Sequence, residues 1–308
     1  MGYHPAPHFE ARRLSSLCGP TARMLRFGIP ALFVLIWSSG FIVAKAVSPH
    51  ADLQAFLVAR LVLTAGVMGL AAVAAGVSWP RGRPLGNHVL AGVLMQGVYL
   101  CASYWAIARG MAAGVMALLG ALQPVFTALF LVAAHGTKLS TRTWVGLFIG
   151  FSGVALVLAP KLASTGAGSL TVLTVASALF SVVAVTAGAL VQKRLAATDI
   201  RSAASIQNLG GAAIAIAMTL LAGTGQWDST PILWGALAWA VLVPSVVGTT
   251  LLMWMMRHGE ATKVTALILL VPPLAAIQAW FFFHETLMPV QFAGFALALG
   301  GVLLARSN

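Results

Sequence analysis

Charge is what this sequence has least of. Only 8% of its 308 residues are Asp, Glu, Lys or Arg, and just six of those are acidic. A soluble domain carries about 25% charged residues, so the chain lacks the polar skin a water-soluble core of this size needs. Cysteine is nearly as scarce. Cys18 falls in the N-terminal tail and Cys101 inside an apolar stretch, and two such positions do not make a disulfide framework. The seven histidines show no metal-ligand pairing within a helix; His4 and His8 stand four apart, but in a tail rich in Pro and Gly. No metal, cofactor or catalytic residue is implied. The acids Glu10, Asp52, Asp199, Asp228, Glu260 and Glu285 all fall in the tail, in loops or at the ends of apolar stretches. Proton-coupled carriers commonly relay through an intramembrane carboxylate, and the sequence offers none.

What is abundant is hydrocarbon. Hydrophobic residues make up 60% of the chain, and they run in blocks. Blocks of ~20 apolar residues match the hydrocarbon core of a bilayer. These blocks are apolar nearly all round, whereas a soluble helix is apolar along one stripe. The expected fold is an all-α integral membrane protein of ten transmembrane helices. The spans are read at 27–46, 54–76, 88–108, 113–134, 143–160, 170–192, 203–222, 233–256, 263–283 and 288–305. Residues 1–25 read as a disordered cytoplasmic tail. The first block is too long for a signal-peptide core and is followed by nine more, so it reads as a span.

The net charge of +12 would suggest nucleic acid in a soluble protein. Here the basic residues are scattered over short loops and suit anionic lipid headgroups better; no nucleic-acid partner is expected. With the N-terminus inside, 14 of the 18 Lys and Arg residues fall on the cytoplasmic side, and only Lys45, Arg60, Arg109 and Lys161 fall outside. Basic loops resist translocation, so both termini are expected in the cytoplasm. A bacterial inner, or plasma, membrane is the expected location.

The chain also matches itself. Trp105-Ala106-Ile107-Ala108-Arg109-Gly110 aligns with Trp254-Met255-Met256-Arg257-His258-Gly259, which carries Pro124 onto Pro273 and His135 onto His284. After a one-residue gap, Leu139, Gly146 and Gly153 fall on Leu287, Gly294 and Gly301. Two five-helix repeats follow, at 26–161 and 168–308. Five is odd, so the repeats are inverted, an arrangement that places substrate near the midplane between halves.

Several motifs then point to a family. Ile36-Trp37-Ser38-Ser39-Gly40-Phe41 with Lys45 resembles the segment opening EamA-type members of the drug/metabolite transporter superfamily. Ala59-Arg60-Leu61 resembles the Arg at the start of that family's second helix. Leu122-Gln123-Pro124 and Leu270-Val271-Pro272-Pro273 resemble its paired proline motifs, and Phe283-His284-Glu285-Thr286-Leu287 with Gly294 its G-E-x-L…G segment. The resemblance covers residues 27–305. Two positions depart from it: Gly136-Thr137 stands where the family has an acidic residue, and Ser39-Gly40 replaces Ser-Asn. Within the family the YddG-like aromatic amino-acid exporters are the most similar branch. The resemblance implies export of a small molecule by alternating access. A multidrug or nucleotide-sugar carrier is the alternative of the same class.

Candidate site residues follow from position. Trp37 reads as the one mid-span Trp, and with Ser38 it can line a cavity or pack a helix. Gln96, Tyr99 and Ser103 share one helix face and can face a cavity or a partner helix. Ser177 with Ser181, and Ser245 with Thr249, are polar pairs one turn apart, suited to helix packing or to substrate contact. Pro124, Pro244, Pro272 and Pro273 inside spans imply bends or exposed backbone, which Gln123 and Gln278 can serve. The substrate-binding set is therefore Trp37, Ser38, Gln96, Tyr99, Ser103, Gln123, Ser181 and Thr249. Pro124, Pro272 and Pro273 are hinge or cavity-lining candidates. Lys45, Arg60 and Glu285 are the charge candidates. Snorkelling to the interface is the default for Lys45 and Arg60; attraction of a substrate carboxylate is the alternative. Gly150-Phe151-Ser152-Gly153 matches an intramembrane serine protease motif, but hydrolysis needs a base for the serine proton, and no His is expected well inside a span. With no membrane carboxylate, a facilitator that moves substrate down its own gradient is expected.

Overall fold

A computed structural model describes residues 20–136, 139–163, 170–195, 198–251, 255, 270–285 and 287–306. Among these residues the protein is helical, with one isolated bridge between Ala51 and Trp227. The helices are α1 (Pro20–Ser38), α2 (Gly40–Val47), α3 (Leu53–Ala74), α4 (Arg83–Ala108), α5 (Ala113–Gly120), α6 (Gln123–His135), α7 (Thr141–Ala163), α8 (Val172–Gln192), α9 (Ile200–Ala222), α10 (Pro231–Leu251), α11 (Val271–Phe283) and α12 (Pro289–Arg306). Eight stretches are long and apolar enough to cross a membrane, and shorter apolar helices lie at Val271–Phe283 and Pro289–Ala305. The expected ninth span, 263–283, lies partly outside the described residues. So does the Trp254–Gly259 half of the repeat motif. Large apolar side chains project outward, among them Leu220, Leu221, Phe148 and Leu70. Lipid satisfies such a surface, and water does not.

Local chemistry sets the helix ends. Asp52 and Asp199 cap α3 and α9, each accepting from the first-turn backbone N–H groups. Thr171 and Thr230 do the same for α8 and α10. The prolines differ from the expectation of kinks inside spans. Pro124 and Pro272 each lie in the first turn of a helix, α6 and α11, after a turn that ends the preceding segment. A first-turn N–H has no intrahelical partner, so proline costs no hydrogen bond there. Pro244 is the exception and lies inside α10.

The two halves share a register. Helices or segments begin 148 residues apart at Arg83 and Pro231, at Gln123 and Val271, and at Thr141 and Pro289. The π-helical segments Val93–Val98 in α4 and Val241–Gly248 in α10 also begin 148 apart. The left-handed caps closing α6 and α11, Gly136 at φ 61° and His284 at φ 53°, keep that spacing. This structural register pairs Pro124 with Pro272, and Gly136 with His284. The sequence alignment, one residue out over this stretch, paired Pro124 with Pro273 and His135 with His284. His284 thus holds, at some backbone cost, a conformation that favours glycine.

The most extensive helix pairing among the described residues is α7 on α12. Glycines let the two backbones nearly touch. A Cβ at Gly146 would sit 2.7 Å from the Gly301 carbonyl oxygen, and one at Gly153 would sit 2.7 Å from that of Gly294. Reciprocally, a Cβ at Gly294 would meet the Gly153 carbonyl oxygen at 2.7 Å, and one at Gly301 would meet the Gly146 oxygen at 2.6 Å. Small residues bring membrane helices close enough for dispersion to hold them. Gly150 and Gly153 therefore serve this crossing, and Ser152 of the protease-like motif is exposed beside it. A second glycine crossing joins α4 to α9: Gly97 lies against Ile214 and Gly211, and Gly211 against Gln96.

Gly294→Val must push the α7 and α12 backbones apart. Overpacking of this kind costs about 1–3 kcal/mol, so the variant is expected to lose thermal stability in detergent. Gly300→Ala is the control, because a Cβ there meets nothing within 4 Å. Equal melting temperatures for the two variants would contradict this account of the crossing.

Candidate functional site

The first span does not run through. α1 ends at Ser38, Ser39 makes a turn, and α2 resumes at Gly40. Serine hydroxyls compete for backbone groups and glycine is a poor helix former, so Ser-Ser-Gly is a natural breaking point. Serines bond the adjacent carbonyls themselves: Ser38 Oγ donates to Leu35 O at 3.0 Å, and Ser39 Oγ to Ile36 O at 2.7 Å.

Side chains from three other helices converge on this break. From α4, the Tyr104 hydroxyl donates to Gly40 O at 3.1 Å. From α10, Trp239 Nε1 donates to Ser39 Oγ at 3.0 Å. From α11, Gln278 Nε2 donates to Ser38 Oγ at 2.8 Å and to Leu35 O at 3.3 Å. The Leu35 carbonyl can only accept, so the amide nitrogen of Gln278 must face it. The amide oxygen, Oε1, is then left buried with no hydrogen-bond partner. A buried unpaired acceptor is costly, and this one suits an incoming N–H or O–H group.

Arg60 of α3 lies in the same network. Its Nη1 donates to the Tyr104 hydroxyl at 2.8 Å; its Nε and Nη2 reach Ser245 Oγ at 3.4 and 3.3 Å. Ser245 in turn donates to Ala240 O at 2.8 Å. That carbonyl lies four residues before Pro244, which has no N–H to offer it. The serine thus satisfies the group that the proline leaves over, inside the π segment of α10. Arg60 is only 8% exposed, and its guanidinium is turned to hydroxyls of α4 and α10 and not outward. Lys45 does not reach out freely either: its Nζ pairs with Glu285 at 3.3 Å.

The other expected site residues divide. Trp37, 36% exposed, stacks obliquely on Phe33 with ring centroids 5.2 Å apart. Tyr99 packs edge-on against Phe41, with ring centroids 6.3 Å apart. Trp37, Ser38, Tyr99 and Arg60 are thereby gathered around the break. Ser103 and Ser181 are fully buried and bond carbonyls of their own helices, at Tyr99, Leu100 and Ala178. Thr249 bonds Ser245 O and Val246 O. These three hydroxyls serve their helices, and Ser177 ties α8 to Ala102 O of α4 at 3.1 Å. Gln96 is half-buried in the π segment, with its backbone against Gly211. Gln123 and Pro124 open α6, where the Gln123 carbonyl accepts from Thr127. Pro272 is buried and Pro273 half-buried at the start of α11.

Three participants were not expected. Tyr104 was overlooked beside Ser103. Trp239 lies well inside α10, so Trp37 is not the one mid-span Trp. His88, 1% exposed, lies in the second turn of α4, near the end of that span, and was not among the candidate residues. Its Nδ1 lies 3.2 Å from Gln207 Nε2 and its Nε2 lies 3.0 Å from Thr198 Oγ1.

One end of the bundle is drawn together by polar bonds. Asp52 accepts from Thr224 N at 2.6 Å and from Thr224 Oγ1 at 3.2 Å, besides capping α3. Asp52 N donates to Gln226 O, Asp228 N to His50 O, and Gln226 Nε2 to Pro49 O. The connection after α2 is thus laced to the one after α9. Burial pushes the Asp52 carboxyl up, but the backbone N–H groups of Thr224, Ala55 and Gln54 outweigh it and hold the group below the ordinary carboxylate range.

These features define a class: a multi-pass helical membrane protein with a broken first span where several helices meet, an arrangement suited to transport. The EamA-like transporter family model matches the chain twice, at residues 28–159 and 171–307, and the protein belongs to that family. A probable terminal-alkyne amino-acid exporter from Streptantibioticus cattleyicolor is 24% identical over 278 residues, covering 89% of this chain and 90% of that one. An uncharacterized transporter from Archaeoglobus fulgidus is 28% identical over 232 residues, covering 73% and 77%. A protein of known crystal structure shares the fold with a TM-score of 0.63 at 18% identity, covering 94% of this chain and 97% of that one. The family and both relatives are named as transporters, not enzymes.

The Asp52 clamp makes a pH-dependent contribution. A carboxylate with a lowered folded pKa stabilises fully above its unfolded value, and that stability is lost as pH falls through the folded value. Asp52→Asn is therefore expected to lower the melting temperature at neutral pH and to have a smaller effect in strong acid. A difference from wild type that stays constant from pH 7 down to strong acid would contradict the assignment.

Proposed function

We propose that the protein exports amino acids, aromatic and hydrophobic ones foremost, or related small metabolites, by alternating access of two inverted five-helix repeats. The repeats lie at 26–161 and 168–308, with ten spans in all. The membrane is the bacterial inner membrane, and both termini are cytoplasmic. The observation that carries the reading is the break at Ser38–Gly40. Exposed backbone at membrane depth is tolerated where it lies within protein or lines a cavity. Here Tyr104 comes from the first repeat, Trp239 and Gln278 from the second.

The glycine crossing supports inversion. Under the 148-residue register, Gly146 corresponds to Gly294 and Gly153 to Gly301. The contact of Gly146 with Gly301 then maps onto that of Gly294 with Gly153. A self-complementary contact set is the mark of a two-fold axis. Sequence numbers run in opposite directions along the two helices, so the axis is perpendicular to both, in the membrane plane. Support for amino acids comes from the Streptantibioticus relative, a probable amino-acid exporter, and for aromatic ones from Trp37 and Tyr99.

Counterflow of labelled amino acids in proteoliposomes, against competitors that include drugs and nucleotide sugars, tests the substrate class. Trp37→Ala is expected to weaken aromatic substrates about 2- to 12-fold, from a stacking contribution of roughly 0.5–1.5 kcal/mol, and to leave small polar ones nearly unaffected. Competition by nucleotide sugars or drugs but not by amino acids would replace the substrate assignment.

Energy coupling follows from the acids. Asp52 and Asp199 are helix caps, and Glu285 pairs with Lys45. A facilitator is the mode these engagements support. In proteoliposomes with imposed pH, sodium and voltage gradients, a neutral substrate should reach only its own equilibrium. Accumulation driven by a pH gradient would refute the facilitator and direct attention to Glu285 and His88.

A further inference from the structure

We propose that Arg60 is the receptor for the carboxylate of the transported molecule, with Tyr104 and Ser245 holding its guanidinium in place; this rests on the amino-acid reading above. Arg60, seven residues into α3, is 8% exposed, yet both hydrogen-bond partners of its guanidinium among the described residues are neutral hydroxyls. Two oxygen atoms serve a group with five N–H donors, and the contacts to Ser245 are long. The two ion pairs among the described residues belong to Lys45 and Arg201, and neither reaches Arg60.

A buried guanidinium stays protonated, and a buried charge without a countercharge is strongly unfavourable. The molecule offsets part of this with hydroxyls, which polarise toward the cation without neutralising it. An arriving carboxylate completes the set, because two parallel N–H groups match its two oxygens. The position suits such a guest. Tyr104 links Arg60 directly to the Gly40 carbonyl at the break in the first span, and Tyr99 packs against Phe41, the residue after Gly40. Arg60 and Tyr104 belong to the first half, whereas Ser245 comes from α10 in the second. A ligand on the guanidinium therefore acts where the two halves meet.

A single cation also selects among anions. A phosphate monoester carries about −1.5 to −2 charges at neutral pH, and a second cation on the neighbouring helix α2, Lys45, is already paired with Glu285. One guanidinium balances one carboxylate.

The test uses full-length protein in detergent and in proteoliposomes with four matched ligands: phenylalanine, its methyl ester, phenethylamine and 3-phenylpropionate. Wild type is expected to exchange phenylalanine, to bind 3-phenylpropionate, and to discriminate against the ester and the amine. Arg60→Gln is expected to weaken both carboxylates about 10- to 100-fold, the usual effect of losing a charged hydrogen-bond partner, with the amine unchanged. Arg60→Lys keeps the charge but not the fork, and is expected to weaken the carboxylates several-fold; it carries the test if Arg60→Gln fails to fold. A folded variant with the wild-type preference for acid over amine overturns the proposal. So does a wild type that binds neither carboxylate. A wild type that binds 3-phenylpropionate but exchanges no amino acid refutes the export reading and leaves the receptor standing.

Discussion

A polypeptide inside hydrocarbon must satisfy its own backbone, because lipid offers no hydrogen bonds. An unbroken helix does so automatically. This protein departs from the unbroken helix at several described places, and many of the polar residues of its spans are arranged around those departures. At Ser38–Gly40 two serines and donors from α4, α10 and α11 take up the backbone and the serine hydroxyls. At Pro244 the Ser245 hydroxyl takes the carbonyl that proline cannot serve. Before Pro124 the chain turns and restarts, so that proline falls where no N–H is needed. In the π segment of α4 the backbone presses on Gly211, and Tyr99 follows directly. Polar side chains in these spans mostly do one of two things: they repair backbone, or they gather near the one break that is repaired from several sides.

The second constraint is close approach. Water supplies no hydrophobic drive between helices in lipid, so contact area and distance decide which pairs hold. Glycines at positions 146, 153, 294 and 301 give α7 and α12 a nearly bare backbone contact. That contact reads the same in both directions because the 148-residue register carries each glycine onto its counterpart. The same register sets the π segments and the left-handed caps. His284 shows how strongly it is held, since a histidine takes the backbone conformation that Gly136 takes in the first half.

Much of this was legible in the sequence. Apolar blocks, basic-residue asymmetry and recurring Gly and Pro positions are properties of composition and spacing, and lipid enforces them over whole helices. The eight long spans overlap the expected positions closely. The site was legible only in part. Trp37, Ser38, Tyr99 and Arg60 were singled out from their positions, and the structure gathers them. Ser103, Ser181 and Thr249 were singled out by the same polar-stripe reasoning, and each bonds a carbonyl of its own helix. Spacing reports which face a hydroxyl lies on. It cannot report whether the nearest carbonyl, one turn back, has already taken the proton. Tyr104, Trp239 and Gln278 act across helices, and the partner of a cross-helix bond is fixed by tertiary packing.

The two kinds of contact differ in what movement would cost them. The clamp of Asp52 on Thr224, with its neighbouring loop hydrogen bonds, lies at the bundle end, where water can replace each bond lost. Such bonds are worth little net when exchanged for water. The Lys45–Glu285 pair, 30% and 20% exposed, can be hydrated in the same way. The glycine crossing is held differently: separating two bare backbones loses close-packed dispersion contacts that lipid chains replace only in part, because they cannot fill the narrow glycine groove as closely. If the two halves rock as proposed, the movement would be cheapest where α7 and α12 stay together and the polar end opens. The break at Ser38–Gly40 also combines members of both classes. Its hydrogen bonds are drawn from both halves and are only partly buried. Under the proposed alternating access, a ligand that supplied its own carboxylate to Arg60 and its own N–H to Gln278 would replace them from within, and movement of the halves would then be coupled to occupancy through the same few hydrogen bonds.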